Sequence, residues 1–189
     1  MSVEGRPLNE TELIERAKHG DLPAYEDLVR MHQQLAIRVA MVVLGDHHEA
    51  EDATQEAFVK AYRALGTFRM ESPFRPWLLR IVRNESLNRR RRRGRQERLA
   101  LQIAGEAASG GAAPSPEAAL MSNADRRTVL EAVENLPPRY RDVIVHRYLL
   151  ELSEAETAVT LGIPPGTVKS RSHRALSRLR QMIEEVPDE

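Results

Sequence analysis

The chain has 189 residues, and its 28 basic side chains balance its 28 acidic ones, so the formal net charge is zero. It contains no cysteine, which excludes disulfides, thiolate metal sites and a thiol redox switch within the chain. The longest apolar run, residues 35–44, is too short to cross a membrane and contains Arg38. No secretory signal opens the sequence, so we expect a cytoplasmic protein.

The composition predicts an all-α fold. Aromatic residues make up only 4% of the chain, and long alternating β-branched runs are missing. The neutral total conceals a strong asymmetry, because residues 1–60 hold twelve acids and six bases, whereas residues 75–98 hold ten arginines and two glutamates. Such a charge pattern indicates two different partners, one of which is a polyanion.

The first domain, residues 1–98, begins with three predicted helices. The first opens with a capping-box pattern, Asn9 followed three residues later by Glu12, and stops near Gly20. The second covers about residues 23–44. Asp46 caps the third, which has an alanine-rich apolar stripe on one side and a polar face on the other. That polar face carries Asp52, Gln55, Glu56 and Arg63.

A loop with the sequence GTFRMES leads into a fourth predicted helix. Prolines at 73 and 76 mark its first turn, where proline is tolerated best. Trp77, Leu78, Ile81 and Val82 supply a buried face. The arginines and asparagines between positions 75 and 88 lie outside it, and a run of five arginines, residues 89–93, follows.

Residues 99–121 predict a flexible linker, because Ala, Gly, Ser and Pro dominate and nothing is periodic. The second domain, residues 122–189, has four short helical patterns. One of them starts at Ser153, with Glu156 at the third position, and ends at Gly162. A longer basic helix follows this tight turn, and the pair predicts a helix-turn-helix.

The final helix is expected to bury a stripe that includes Val168, Ala175, Leu179 and Ile183, which leaves its polar residues for solvent or DNA. Early residues of a recognition helix reach base edges, and later arginines more naturally meet phosphates. The alternative is a solvated basic helix end, which the helix dipole favours in part. The candidate DNA contacts are Thr167, Lys169, Ser170, Arg171, His173, Arg174 and Arg178.

Two blocks of sequence resemble a known family. The block LPPRYRDVIVHRYLLELSEAETAVTLGIPPGTVKSRSHRALSRLR resembles the promoter-reading C-terminal domain of bacterial sigma factors, above all the extracytoplasmic-function (ECF) group. The blocks DHHEAEDATQEAFVKAYRALGTF and FRPWLLRIVRNESLNRRRRR are similar to that group's N-terminal domain. The resemblance spans roughly residues 12–93 and 126–183. It implies a non-catalytic factor that binds core RNA polymerase, reads −35 and −10 promoter elements, helps to melt DNA and is held inactive by an anti-sigma factor.

The resemblance also implies specific contact residues. The family's D-x-x-Q-E-x-F block docks on a coiled-coil helix pair of core polymerase and matches Asp52, Gln55, Glu56 and Phe58; without that resemblance, a solvated acidic face would explain the polar members. The loop at 66–72 and the next helix match the segment that reads the −10 element as a single strand. Its candidate DNA contacts are Phe68, Arg69, Arg75, Arg80, Asn84, Asn88 and Arg89.

Trp77 and three departures from the family's usual residues affect what these blocks are expected to do. We expect Trp77 to pack in the core rather than contact a base. Asn88 stands where the family often has Asp, and with the arginine run this is expected to strengthen phosphate attraction at some cost in selectivity. Thr157 replaces a usual core Ile and Ser172 a frequent Leu, and each is expected to cost about 1–3 kcal/mol of stability if buried.

Two other classes of protein fit the sequence less well. A free-standing helix-turn-helix regulator would bind duplex DNA without polymerase, but it leaves the acidic block at 52–58 and the GTFRMES loop unexplained. A small enzyme lacks support, because no phosphate-binding loop, dinucleotide pattern or catalytic triad is present. Adjacent His47 and His48 point about 100° apart on a helix, which disfavours chelation. We therefore expect no metal, no cofactor and no small-molecule substrate.

Overall fold

The computed structural model describes residues 9–104 and 123–184, with side chains described for 9–98 and 129–183. Every regular element in these residues is helical. The chain divides into two compact units, Met1–Gly111 and Ala112–Glu189. The prediction of two small helical domains is therefore confirmed. None of the described helices combines the length and the apolar character needed to span a membrane.

The first unit contains four α-helices and one short 3-10 turn. They are α1 Glu10–Lys18, α2 Leu22–Leu44, α3 His47–Ala64, the 3-10 turn Leu65–Thr67 and α4 Phe74–Ala104. The predicted capping box at α1 is present, because the Glu12 amide donates to Asn9 Oδ1 at 2.9 Å and the Asn9 amide donates to Glu12 Oε2 at 3.1 Å. Asp46 caps α3 by accepting from the Glu49 amide at 2.8 Å. Local side-chain chemistry thus fixes where both helices start.

The core of the first unit lies where α2, α3 and α4 pack together. The alanines of α3 at positions 50, 53, 57 and 61 are fully buried. Their small side chains let α3 approach two neighbouring helices closely, while Leu28, Leu78 and Val82 fill the remaining space. This packing fixes how α3 and α4 present their outer faces.

Helix α4 is longer than expected, because it continues to Ala104. Helix α4 therefore runs six residues into the range predicted as linker, 99–121. Residues 98–104 are Arg, Leu, Ala, Leu, Gln, Ile and Ala, most of which are strong helix formers, so the helix continues on intrinsic propensity. The rest of the predicted linker, 105–121, lies outside the described residues.

The described residues of the second unit form three short α-helices and a longer one. They are α5 Asn123–Glu134, α6 Pro138–Ile144 with a π-helical turn at Val145–Leu149, α7 Glu154–Leu161 and α8 Pro165–Glu184. Ser153 and Glu156 form the predicted capping box, and Gly162 ends α7 in the left-handed conformation, with φ of 68°. A residue with a side chain is strained at this φ, so glycine suits the sharp turn into α8. Helices α7 and α8 form the predicted helix-turn-helix.

The small core of the second unit contains Val143, Ala158 and Val168, with Leu161 and Ile163 packed against them. Thr157 is fully buried beside this core, as expected from its position. Its hydroxyl has no hydrogen-bond partner among the described residues. A buried polar group in that state costs stability.

Candidate polymerase and DNA interfaces

The acidic face of α3 is exposed to solvent. Asp52, Gln55 and Glu56 lie at positions i, i+3 and i+4 and therefore share one side of the helix. The side chains of Asp52 and Glu56 are 60% and 51% exposed. Three of the four predicted polymerase contacts are thus brought together on one accessible surface.

Phe58, the fourth residue of that block, lies elsewhere. Its side chain is only 8% exposed, and its backbone carbonyl accepts a hydrogen bond from the Tyr25 hydroxyl at 2.6 Å. The structure therefore places Phe58 in the core beneath the acidic face rather than on it. Its neighbour Val59 is 50% exposed and follows Asp52 by seven residues, so it shares the acidic face. The seven-residue spacing could have revealed Val59 as the apolar member of this surface.

Arginines from α4 reach across to the acidic face. Arg89 Nη2 lies 2.7 Å from Asp52 Oδ2, and Arg89 Nη1 lies 3.6 Å from Glu56 Oε1. Arg93 Nη1 lies 3.0 Å from Glu49 Oε1. A predicted DNA contact, Arg89, is thus paired with two predicted polymerase contacts, and the two surfaces meet along this edge.

An ion pair between a buried glutamate and a half-exposed lysine also joins α3 to α4. Glu85 of α4 is 2% exposed and pairs with Lys60 of α3. Burial alone raises the pKa of Glu85, but hydrogen bonds to Lys60 and Glu56, with the charge of Arg92, outweigh burial and hold the pKa below its ordinary value. The carboxylate stays ionised at neutral pH and ties the two helices together.

The loop before α4 is organised by an aromatic cluster of Phe68, Phe74 and Trp77. The Phe68 ring centroid lies 4.9 Å from that of Trp77 and 5.6 Å from that of Phe74. Phe68 is only 4% exposed, and its carbonyl accepts from Lys18 Nζ at 2.9 Å. The position of Phe68 therefore differs from the expectation that it stacks on a DNA base. It anchors the loop, while Arg69 beside it is exposed.

The polar residues of α4 divide into groups. Arg80, Asn84 and Asn88 are exposed at four-residue spacing, so they form one strip along the helix. Arg75 is partly buried in the first turn, and Arg89 is held by the acidic face of α3. The structure thus brings three of the predicted −10 contacts into a line and leaves two apart.

A buried histidine lies next to the aromatic cluster. His32 of α2 is 6% exposed, its Nε2 lies 2.7 Å from Glu10 Oε1, and its ring lies 5.5 Å from that of Phe74. Burial lowers the pKa of His32, Glu10 opposes this effect and Arg75 adds to it. His32 therefore joins α1 to the start of α4. Because His32 follows Leu28 by four residues, helical spacing could have revealed its burial but not its partner Glu10.

In the second unit, α8 presents its polar residues as predicted. Val168 and Ala175 are fully buried, and Leu179 is 8% exposed, whereas Ile183 is 37% exposed and the prediction that it is buried is wrong. Ser170 Oγ donates to the Thr167 carbonyl at 3.2 Å. The predicted DNA contacts are exposed or half-exposed along one side of α8: Thr167, Lys169, Ser170, Arg171, His173, Arg174 and Arg178.

Comparison with known proteins decides the family. The sequence model of Sigma-70 region 2 matches residues 28–96, and that of Sigma-70 region 4 matches residues 126–179. The chain is 34% identical over 181 residues to the ECF RNA polymerase sigma factor SigW of Bacillus subtilis, covering 92% of this chain and 96% of SigW. The chain belongs to the ECF sigma factors. Proteins of this family are transcription initiation factors that work with core RNA polymerase at promoter DNA.

Further relatives agree with this ECF sigma factor assignment. The ECF RNA polymerase sigma-E factor of Escherichia coli is 38% identical over 175 residues, covering 89% of this chain and 91% of sigma-E. Two solved structures are each 25% identical in sequence to this chain. CnrH, in complex with the cytosolic domain of CnrY, has a TM-score of 0.66 and covers 94% of this chain and 99% of its own. RpoE from Bartonella quintana, in complex with the anti-sigma factor NepR, has a TM-score of 0.62 and covers 86% of this chain and 98% of its own. Within the described ranges, no cluster of three histidines and acids is arranged to hold a metal ion.

Proposed function

We propose that this ECF sigma factor binds core RNA polymerase through the exposed face of α3 formed by Asp52, Gln55, Glu56 and Val59. Helix faces that combine exposed acids with an apolar residue suit docking on another helix. The observation that carries the wider proposal is the order of the two matches, region 2 on the first helical unit and region 4 on the second. This order explains the polymerase-binding face and the DNA-binding residues together as parts of one sigma factor activity.

The promoter contacts are divided between the two units in this proposal. Arg69 and the α4 strip of Arg80, Asn84 and Asn88 contact the −10 element as it opens, while α8 reads the −35 element in duplex form. Exposed arginines and amides suit both phosphates and unstacked bases. Since each unit contacts DNA over a small area, the covalent connection raises the effective concentration of one contact once the other has formed.

The chemistry of RNA synthesis is performed by the polymerase, and this chain contributes recognition. It needs no cofactor of its own and acts in the cytoplasm, where bacterial polymerase works. An anti-sigma factor is a further partner in the proposal, because one similar structure is a complex with the anti-sigma factor NepR.

The polymerase surface can be tested by measuring the affinity of fluorescently labelled chain for sigma-free core polymerase. The triple variant Asp52→Ala, Gln55→Ala, Glu56→Ala removes two charges and one amide from the proposed surface. The matched control Glu15→Ala, Glu26→Ala, Gln33→Ala makes the same chemical change at exposed positions of α1 and α2. We expect the first variant to bind at least about tenfold more weakly, which corresponds to ~1.4 kcal/mol, and the control to bind like the wild type. Equal affinities for the two variants would contradict this surface.

A further inference from the structure

Three arginines converge on one tyrosine in the second unit. The guanidinium carbon of Arg139 lies 4.9 Å from the centroid of the Tyr140 ring, and that of Arg178 lies 5.1 Å from it. Arg174 lies close enough to Tyr140 to help lower the pKa of its phenol. Arg139 and Tyr140 belong to α6, whereas Arg174 and Arg178 belong to α8. The two helices are thus joined by a shared cationic cluster.

The tyrosine is fixed while the charges remain accessible. Tyr140 is 5% exposed, so its ring is held by the core, but Arg139, Arg174 and Arg178 are all exposed. Burial raises the pKa of Tyr140, but the neighbouring arginines outweigh it and the pKa lies below its ordinary value. The phenol therefore experiences strong positive potential from the cluster.

Bringing three like charges together is unfavourable unless a favourable partner compensates. The ring offers part of this compensation, because the face of an aromatic ring attracts a cation by about 0.5–1 kcal/mol at exposed sites. Among the side chains that the structure describes, no ion pair joins any of the three arginines to a carboxylate. Guanidinium groups held this close together favour the binding of an external anion.

The chemistry of that anion follows from the donors and their place. Guanidinium groups present forked N–H donors that match phosphate oxygens. Two of the three arginines lie on the helix proposed to enter the DNA groove, so the phosphate that reaches them belongs to the DNA strand bordering that groove. Arg139 lies outside the helix-turn-helix, at the start of α6, which extends the contact to a second element.

We propose that Tyr140 is a positioning residue that holds Arg139, Arg174 and Arg178 as a single phosphate-binding cluster for the DNA strand beside α8. Arg139 is then a DNA contact that lies outside the helix-turn-helix. This inference rests on the proposed function, because that proposal identifies α8 as the DNA-binding helix. The affinity for phosphate is a property of the arginine cluster itself.

The test measures how salt changes the binding of the full-length chain to a fluorescent 30-base-pair duplex, without polymerase. Each phosphate contact contributes about 0.9 to the slope of log affinity against log salt concentration. Arg139→Gln should reduce the slope by about 0.9. The control Arg30→Gln removes the same charge from an exposed position of α2 in the first unit, where no DNA contact is proposed, and it should leave the slope nearly unchanged.

Two substitutions of the tyrosine separate positioning from charge. Tyr140→Phe keeps the ring and should keep most of the slope. Tyr140→Leu removes the ring without changing the net charge, and it should reduce the slope by about 0.9 or more, because the arginines are no longer held together. Circular dichroism checks that each variant is folded. If Tyr140→Leu does not fold, the comparison of Arg139→Gln with Arg30→Gln decides the question, since both residues are exposed.

Equal slopes for the Arg139 and Arg30 variants, or no salt-dependent binding by the wild type, would overturn the proposed phosphate-binding cluster. Run-off transcription with core polymerase is measured in parallel on the same preparations. Transcripts with an unchanged Arg139 slope would refute the cluster and leave the sigma activity intact. A reduced slope without transcripts would support the cluster and count against the proposed function.

Discussion

Replacing Thr157 by valine is expected to stabilise the second unit. Thr157 is completely buried, and its hydroxyl has no hydrogen-bond partner among the described residues. A buried hydroxyl that makes no hydrogen bond costs about 1–3 kcal/mol. Valine has nearly the same shape, adds about one buried methyl group and has a similar helix propensity. The expected gain in unfolding free energy is therefore about 1–3 kcal/mol.

The gain can be measured by calorimetry and by hydrogen exchange of the α7 amides in the full-length chain. For a unit of this size, each kcal/mol raises the midpoint of thermal unfolding by about 4–8 °C. The sole tryptophan, Trp77, lies in the first unit, so its fluorescence should report an unchanged transition. Thr11→Val, at an exposed position of α1, is the control and should change stability by less than about 0.5 kcal/mol.

A Thr157→Val variant that is as stable as the wild type, or less stable, would refute this reasoning. It would mean that the hydroxyl is hydrogen-bonded in solution, for example to a buried water molecule. Buried water would also explain how the second unit tolerates a threonine at a core position.

Three further outcomes follow from the first unit. Lowering the pH through about 6.5 should reduce the unfolding free energy of the first unit, because buried His32 has a lowered pKa and the unfolded chain takes up a proton that the folded chain does not. Denaturant titrations at pH 7.5 and 5.5 should show a smaller drop in stability for His32→Asn than for the wild type. An equal drop would contradict the role of His32. Phe68→Ala should lower the unfolding free energy by about 3–5 kcal/mol and shift the Trp77 fluorescence to longer wavelength, since the two rings pack together. Unchanged stability and emission would count against the aromatic cluster. Arg89→Gln should lower the unfolding free energy by less than about 1 kcal/mol, because the partners Asp52 and Glu56 are more than half exposed. The loss should be smaller in about 1 M NaCl, since salt screens exposed charges. A larger loss that salt does not change would be inconsistent with a surface ion pair.

The starts of the helices could be predicted because their signals are local. The pairs Asn9–Glu12 and Ser153–Glu156 form capping boxes by contacts over three residues, and a sequence shows such spacing directly. The alanine stripe of α3 was equally visible, because small apolar residues recur at helical spacing. Both kinds of prediction agree with the structure.

The predictions about aromatic residues were less successful, and the reason is tertiary. Helix α3 packs against two helices rather than one, so its buried arc is wide enough to include Phe58 beside the alanine stripe. Phe68 packs in the core against Phe74 and Trp77. The sequence motifs assigned no role to Phe74. A motif shows which residue type occupies each position but not whether the side chain is buried or exposed.

Contacts between distant positions were also beyond the sequence. Arg89 and Asp52 are separated by 37 positions, so their pairing depends on how α3 and α4 pack. The cluster around Tyr140 depends in the same way on the approach of α6 to α8. Charge patterning predicted an acidic partner surface and a basic one but could not show that they touch along one edge.

The central claim is tested most directly by run-off transcription with sigma-free bacterial core polymerase and fragments of genomic promoter DNA. Wild-type chain should give transcripts with defined start sites, and the Asp52/Gln55/Glu56→Ala and Arg171/Arg174→Ala variants should each give fewer. If no promoter fragment yields a transcript, while the chain alone binds specific duplex DNA tightly, the chain is a free-standing DNA-binding regulator and the account is contradicted.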